Sequence, residues 1–168
     1  KQHLPNVVFS DVTGLVNWCR AIKSESEIEF MRRAARIVEG MHQRILEKME
    51  PGMRKCDLVA EIYDSAIRGT ADHGGDYPAI VPLLPSGSDA AASHLTWDDK
   101  PMKKGEGTFF EIAGCYRRYH VPLSRTVFLG SPPPVFLEAD KAVQEGMEAG
   151  LEQARSGKTY EDVALAFF

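Results

Sequence analysis

One carboxylate, Glu111, stands in an apolar run, Phe-Phe-Glu-Ile-Ala, that is predicted to form a central β-strand. A carboxylate in such a place must be hydrogen-bonded, paired or protonated, because burying it without a partner is prohibitively costly. Perturbed carboxylates cluster in functional sites, so this pattern indicates a catalytic role for Glu111. The alternative is a structural carboxylate paired with an arginine of the same sheet, namely Arg117, Arg118 or Arg125.

Two histidines are placed where they could move a proton or contact a substrate. His94 falls in a polar loop. Imidazole is the side chain that can both accept and return a proton near neutral pH. His120 and its neighbour Tyr119 lie in the next predicted strand, where alternation puts the two on opposite faces. Both histidines are candidates for the site, and an ordinary surface histidine is the alternative in each case.

The loop that contains His94 continues into Trp97-Asp98-Asp99. An indole face and carboxylates both favour positive charge, so this segment is a candidate box for a small cationic ligand, with Trp97 as a substrate contact. The alternative is an aromatic side chain that holds the loop down.

The composition excludes several classes of protein. A formal net charge of −4 and a pI near 5.7 argue against a nucleic-acid binder. The three cysteines Cys19, Cys56 and Cys115 are isolated, and no signal peptide is visible, so a reducing cytoplasm is predicted. The apolar runs are shorter than the ~18 residues of a membrane span, so no membrane association is expected.

The hydrophobic periodicity predicts helices and strands that would position these residues. Ser24 and Glu27 form a capping box that opens a long amphipathic helix. The predicted elements are helices at 25–48 and 56–68, an edge strand at 77–84, a loop at 85–100, strands at 107–113 and 118–129, and a helix at 135–155.

The helical segments repeat. Glu39-Gly40-Met41 recurs as Glu145-Gly146-Met147, 106 residues later, and in each copy a glycine turn and a second helix follow. The first copy continues into the strands that contain Glu111, whereas the sequence stops soon after the second helix of the second copy. We therefore expect the chain to be a fragment of a longer protein.

The stretch from Phe109 to Thr126 resembles the strand pair of the creatinase/aminopeptidase/prolidase ("pita-bread") family, Asp-Ile-Gly-Ala-x-Tyr-x-Gly-Tyr-x-x-Asp-x-x-Arg-Thr. In that family both aspartates hold a divalent metal pair, and their positions fall on Glu111 and Pro122 here. Proline has no side-chain donor atom, so the resemblance implies a metal-independent member without a cofactor. Arg125 and Thr126 match the closing Arg-Thr and are expected to be structural.

This resemblance implies an α+β pita-bread fold, in which an antiparallel curved sheet is covered by helices. Residues 1–21 would be the end of a preceding N-terminal domain and a linker. Residues 22–168 would be a partial catalytic domain, namely the first half and the entry to the second half, truncated before its second strand set. In the family the second half supplies a histidine and two glutamates to the same cavity, and the full-length proteins are usually homodimers.

Within the family, the run Phe-Glu-Ile-Ala-Gly followed by Arg-Tyr-His is most similar to the ectoine hydrolases. The resemblance implies a hydrolase that opens a small cyclic amidine to an acetylated diaminobutyrate. Glu111 would be the nucleophile or the base that activates water, His94 would shuttle the proton, and His120, Trp97 and Tyr119 would contact the substrate. The alternatives are an Xaa-Pro dipeptidase or a creatinase-type amidinohydrolase, and, from another class, an inactive fragment or binding module on the same fold.

Overall fold

The computed structural model describes residues 3–4 and 6–168, so residues 1, 2 and 5 of the predicted segment 1–21 lie outside the described residues. The elements are α1 (Leu15–Ala21), α2 (Glu25–Lys48), α3 (Lys55–Arg68), a 3₁₀ helix (Gly87–Ala91), β1 (Gly107–Tyr116), β2 (Tyr119–Phe128), α4 (Pro134–Gln153) and α5 (Tyr160–Phe167). Within the part of the chain that the structure describes, no helix is long and apolar enough to cross a membrane.

The predicted helices are present, with small shifts at their ends. The backbone N–H and hydroxyl of Ser24 each donate to Glu27 Oε2 over 2.7 Å, and the Glu27 N–H donates to the Ser24 hydroxyl over 3.4 Å. This capping box satisfies N–H groups that the first helical turn would otherwise leave without partners, and α2 begins there as predicted.

The two predicted strands form an antiparallel hairpin, β1–β2, that is longer than expected on one side. The first strand was predicted to end at residue 113, but β1 continues to Tyr116 because the turn consists of only two residues. These are Arg117 and Arg118, with φ of 51° and 66°. Positive φ at both central residues is the geometry of a type I′ turn, whose twist matches that of paired strands.

The predicted strand at 77–84 is wrong as a regular strand. The segment instead makes isolated antiparallel bridges, from Leu83 to Glu111 and from Ser86 to Thr108. Two prolines interrupt it, at positions 78 and 82, and a third follows at position 85. Because proline has no N–H to donate, a continuous ladder cannot form, and pairing survives only at the non-proline residues Leu83 and Ser86.

Strand alternation divides the hairpin into two faces. We define the helix face as residues 108, 110, 112, 114 and 116 of β1 with 119, 121, 123, 125 and 127 of β2. The carboxylate face consists of residues 107, 109, 111, 113 and 115 with 120, 122, 124, 126 and 128. The two-residue turn sets this register, which places residue 111 opposite residue 124 and residue 113 opposite residue 122.

The described residues fall into two compact units. The first contains the described residues up to Glu47 with Ala60–Val81 and Ile112–Leu123. In this unit the backbone of β1 lies directly on α2, because a Cβ added at Gly114 would be 2.1 Å from the Ala34 carbonyl oxygen. Its core residues are Ala34, Ile37, Val38, Met41, Ile45, Ile62, Ala66, Ile112, Ala113 and Cys115.

The second unit contains Lys48–Val59, Pro82–Glu111 and Ser124–Phe168. Backbone hydrogen bonds join the turn before α3 to the end of the long loop, with Gly52 N–H donating to the Met102 carbonyl over 2.9 Å. In α5 a second capping box is formed by Thr159 and Asp162. The buried apolar residues of this unit are Leu58, Val59, Leu83, Leu84, Met102 and Phe110.

Candidate active site

Glu111 lies in the interior of β1, on the carboxylate face. Its backbone is fully paired on the side away from β2, because Glu111 N–H donates to the Leu83 carbonyl over 3.0 Å and Leu83 N–H donates to the Glu111 carbonyl over 3.1 Å. The side chain is half-buried. Among residues 3–4 and 6–168 no hydrogen bond or ion pair reaches its carboxylate. The carboxylate is therefore held on a rigid strand and is available to a ligand.

The three arginines that could have paired with Glu111 have other partners. Arg117 lies over the Tyr116 ring, 6.0 Å from its centroid. Arg118 donates to the Tyr77 carbonyl and stacks 4.2 Å from the centroid of that ring. Arg125 donates to the Ser124 carbonyl over 2.7 Å. The structural alternative for Glu111 is therefore not realised in the described residues.

Arg125 and Thr126 are exposed on β2. No ion pair joins Arg125 to a carboxylate among the residues that the structure describes. Their structural role, with the arginine bracing carboxylates of the sheet, stays a prediction.

The position of the second family aspartate is Pro122, in the middle of β2. The register turns its backbone nitrogen away from β1, so a proline fits the strand without the loss of a ladder hydrogen bond. Glu111 supplies one carboxylate and Pro122 supplies no side-chain donor atom, so these two positions do not fit a bridged metal pair. Within the described residues no group of three or more His, Cys, Asp or Glu side chains could hold a metal ion.

His94 lies in an exposed segment of the long loop, with φ of 59°. No hydrogen bond or ion pair joins it to Glu111 among the described residues, so the structure does not bring the two candidate catalytic groups into direct contact. The loop around it is nevertheless anchored at both ends. Ser86 bonds to Thr108 of β1 through their hydroxyls, 2.9 Å apart, and Cys56 N–H of α3 donates to the Asp98 carbonyl over 3.1 Å.

The anchor of this loop includes a buried lysine, Lys55, that our reading of the sequence did not single out. Its ammonium lies 3.4 Å from Asp98 Oδ1 and 3.8 Å from Asp89 Oδ2. The exposed Lys100 lies 3.0 Å from Asp98 Oδ2. A signal was present in the sequence, because a lysine in the first turn of a helix opposes the helix dipole and needs acidic partners.

Asp98 was predicted to help box a cationic ligand with Trp97. The structure instead places two lysines at its carboxylate. The hydrogen bond from Lys100 lowers the pKa of Asp98 below its ordinary value, and the nearby charge of Lys55 adds a smaller effect in the same direction. A carboxylate already matched by two ammonium groups attracts a further cation weakly. Trp97 lies next to it at the surface, and its substrate contact stays a prediction.

His120 and Tyr119 lie on opposite faces of β2, as alternation predicts. Ala79 N–H donates to His120 Nε2 over 2.9 Å, so that nitrogen is unprotonated. A neutral ring then has its proton on Nδ1, which lies 3.1 Å from the Arg118 carbonyl that accepts it. Both ring nitrogens of His120 therefore have backbone partners, and a substrate would compete with them. Next to the ring, burial raises the pKa of the Cys115 thiol.

Tyr119 faces α2, where its hydroxyl donates to Glu27 Oε1 over 2.6 Å. This hydrogen bond, followed in importance by those from Ser24, lowers the pKa of Glu27 to about 2. The same contact raises the pKa of Tyr119. The geometry ties the start of α2 to the hairpin, and a substrate contact by Tyr119 stays a prediction.

Comparison with known proteins gives the relatives of this chain. Ectoine hydrolase of Halomonas elongata is 59% identical over 170 residues, which cover 98% of this chain and 43% of that protein. An uncharacterized hydrolase/peptidase of Sinorhizobium fredii, y4tM, is 40% identical over 164 residues, which cover 98% of this chain and 42% of that protein. The chain therefore spans less than half the length of these relatives.

Solved structures confirm the predicted fold class. Prolidase from Pyrococcus furiosus superposes with a TM-score of 0.85 at 24% identity, covering 95% of this chain and 46% of that one. Aminopeptidase P of Escherichia coli superposes with a TM-score of 0.83 at 30% identity, covering 94% of this chain and 35% of that one. These superpositions show the pita-bread fold, of which this chain forms the first part.

The predicted family is confirmed as well. The sequence profile of metallopeptidase family M24 matches residues 29–167, which is most of the chain and includes the strand pair with Glu111. The chain belongs to metallopeptidase family M24.

Proposed function

We propose that this chain forms the first part of the catalytic domain of an ectoine hydrolase-like enzyme, which opens a small cyclic amidine without a metal ion. The observation that carries this proposal is the carboxylate of Glu111. It is fixed on a central strand and has no hydrogen bond or ion pair from the described residues. The identity of 59% to an ectoine hydrolase supports the substrate class.

The charge of the substrate suits this site. A cyclic amidine is a cation at neutral pH, and a carboxylate attracts it before any reaction begins. In our proposal Glu111 then attacks the amidine carbon, which forms a C–O bond, while His94 gives a proton to the ring nitrogen whose C–N bond breaks. Water releases the carboxylate and restores the proton to His94. The sum is one water consumed and one ring C–N bond cleaved, which yields an acetylated diaminobutyrate.

Glu111 could instead activate water directly as a general base, with the same net reaction. We favour the nucleophile because the attraction between the cationic ring and the carboxylate already places oxygen near the electrophilic carbon. Further contacts to the ring are proposed for His120, Trp97 and Tyr119. In the full-length protein, the region that corresponds to the unmatched part of the longer relatives would complete these contacts. A homodimer in the cytoplasm is proposed for the full-length enzyme.

The alternatives are an Xaa-Pro dipeptidase and a creatinase-type amidinohydrolase. The peptidase is favoured by the superposition on prolidase and aminopeptidase P, and it is weakened by the missing donor at Pro122. An inactive protein or binding module on the same fold is the alternative from another class.

The test is ectoine ring opening by the full-length protein, followed by proton NMR with and without a strong chelator. We expect turnover that the chelator leaves unchanged. Chelator-sensitive cleavage of Xaa-Pro dipeptides without ectoine turnover would support the peptidase and contradict the proposal. If neither ectoine nor an Xaa-Pro dipeptide is consumed over a long incubation, the binding module is favoured.

A further inference from the structure

The buried Lys55 joins the two ends of the loop segment that contains His94. Its side chain is only 6% exposed, and its two partners, Asp89 and Asp98, lie on either side of the exposed residues 90–97. A buried ammonium needs carboxylates close by, and Asp89 and Asp98 supply them from the two sides of the segment. The Lys55 ammonium therefore connects Asp89 and Asp98, which the exposed residues 90–97 separate in the sequence.

The two ends of the segment are not held equally. At its end, backbone hydrogen bonds over 3.1 Å join Cys56 N–H to the Asp98 carbonyl and Lys55 N–H to the Lys100 carbonyl. At its start, Asp89 N–H donates to the carbonyl of the anchored Ser86 over 3.2 Å, and the Asp89 carboxylate meets only lysine ammonium groups, Lys55 at 3.8 Å and Lys100 at 4.0 Å, among the described residues. Lys100 is 66% exposed, so solvent screens its attraction far more than that of Lys55.

We propose that Lys55 is a positioning residue for proton transfer, because it fixes through Asp89 and Asp98 the loop that presents His94. This inference rests on the proposed function, in which His94 moves the proton. A general acid must lie within hydrogen-bonding reach of the atom that it protonates, and a misplacement of ~1 Å can cost about 10²-fold in rate. A loop of exposed residues keeps such a position only if its ends are fixed.

The test compares Lys55→Met with Lys100→Met in the full-length protein, because both lysines pair with the same two aspartates and only Lys55 is buried. We expect kcat for ectoine to fall about 10- to 100-fold in Lys55→Met, with KM changed less than about threefold. Lys100→Met should stay within about twofold of the wild type in both constants. Lys55→Arg, which restores the charge, should recover most of the lost kcat.

A double-mutant cycle shows whether Lys55 acts through His94. In the His94→Ala background the Lys55→Met change should lower kcat no further, since there is no imidazole left to position. An equal fall in both backgrounds would mean a general structural role and would overturn the proposal.

Hydrogen exchange gives a readout that does not depend on the substrate. The amides of residues 90–97 should exchange faster in Lys55→Met than in Lys100→Met, while those of the core residues Ile62 and Phe110 stay unchanged. If the exchange rates of residues 90–97 are the same in both variants, the proposal that Lys55 fixes this segment is contradicted, whatever the substrate is. Failure of the wild type to open ectoine would instead contradict the proposed function. If Lys55→Met does not fold, Asp89→Asn releases the start of the segment and leaves Lys55 paired with Asp98.

Discussion

The helix face and the carboxylate face of the hairpin are formed by the same two strands and have different surroundings. On the helix face the Gly114 backbone lies against α2, and Tyr119 donates to Glu27. Tyr116 accepts from Arg33 over 3.0 Å on the same face. On the carboxylate face Glu111 has no such partner among the described residues, and Pro122 lies at the surface.

This difference separates side chains that have protein partners from a carboxylate that has none among the described residues. Polar groups in a folded protein nearly always find partners, because a buried group without one costs about 1–3 kcal/mol. Glu111 is only half-buried, so water can solvate its carboxylate, and without a protein partner among the described residues it is a candidate for a ligand or a reaction. Both faces contribute to the core, since Ala113 and Cys115 of the carboxylate face are buried as well, and the contrast is between the partnered side chains and the one carboxylate without a partner.

The largest effect is expected on the helix face. Gly114→Ala would place a Cβ 2.1 Å from the Ala34 carbonyl oxygen and 2.7 Å from the Val38 nitrogen, and neither backbone atom can move aside easily. We expect a loss of more than about 3 kcal/mol in the free energy of unfolding, or no folded protein at all. The control is Gly40→Ala in α2, where the nearest atom is Ser65 Oγ at 3.9 Å. This change should be neutral or stabilising by about 0.5–1 kcal/mol in urea unfolding.

On the carboxylate face the effect should appear in activity and not in stability. Glu111→Gln keeps the shape of the side chain and removes its charge. We therefore expect kcat for ectoine to fall about 10²- to 10⁴-fold. The free energy of unfolding should change by less than about 0.5 kcal/mol, because no described ion pair is lost. Glu106→Gln, which affects a half-buried carboxylate near Lys103, is the matched control and should retain activity. A strongly destabilised Glu111→Gln protein would argue that the carboxylate has a structural partner after all.

His120 lies on the carboxylate face but has the hydrogen bonding of a structural residue. His120→Phe keeps a ring and removes the bonds to Ala79 and Arg118, so unfolding should become easier by about 1–2 kcal/mol. If these backbone contacts are its whole function, KM for ectoine should change less than about threefold. A rise in KM of more than about tenfold at unchanged stability would support the predicted substrate contact.

The smallest effect concerns Glu27 at the start of α2. Its pKa is lowered from an ordinary 4.5 to about 2 in the folded protein, so its contribution to stability is present above about pH 4.5 and is lost as the pH falls toward 2. We expect the difference in Tm between the wild type and Glu27→Gln to be largest near neutral pH and to shrink across this window. A difference that does not change with pH would contradict a role for the charged form.

Local patterns in the sequence were enough to predict most elements. The Ser24–Glu27 capping box and the apolar periodicity predicted α2 from 25 to 48, and alternation predicted the faces of Tyr119 and His120. The strand predicted at 77–84 does not form as a regular strand, because its prolines cannot donate the N–H groups that a continuous ladder needs. The hairpin turn was missed in part because two arginines in the left-handed region are unusual for a type I′ turn, which favours Asn and Gly.

The sequence by itself determined the family, the helix pairs and the position of the one carboxylate in the central strand, because these depend on residue types at short spacings. Only the tertiary structure decided the partners. It showed that Arg117, Arg118 and Arg125 leave Glu111 free, that His120 bonds to backbone atoms, and that Lys55 joins Asp89 to Asp98. Such contacts connect residues far apart in the chain, and hydrogen bonds and ion pairs act only over a few ångströms, so their partners are settled when the chain has folded.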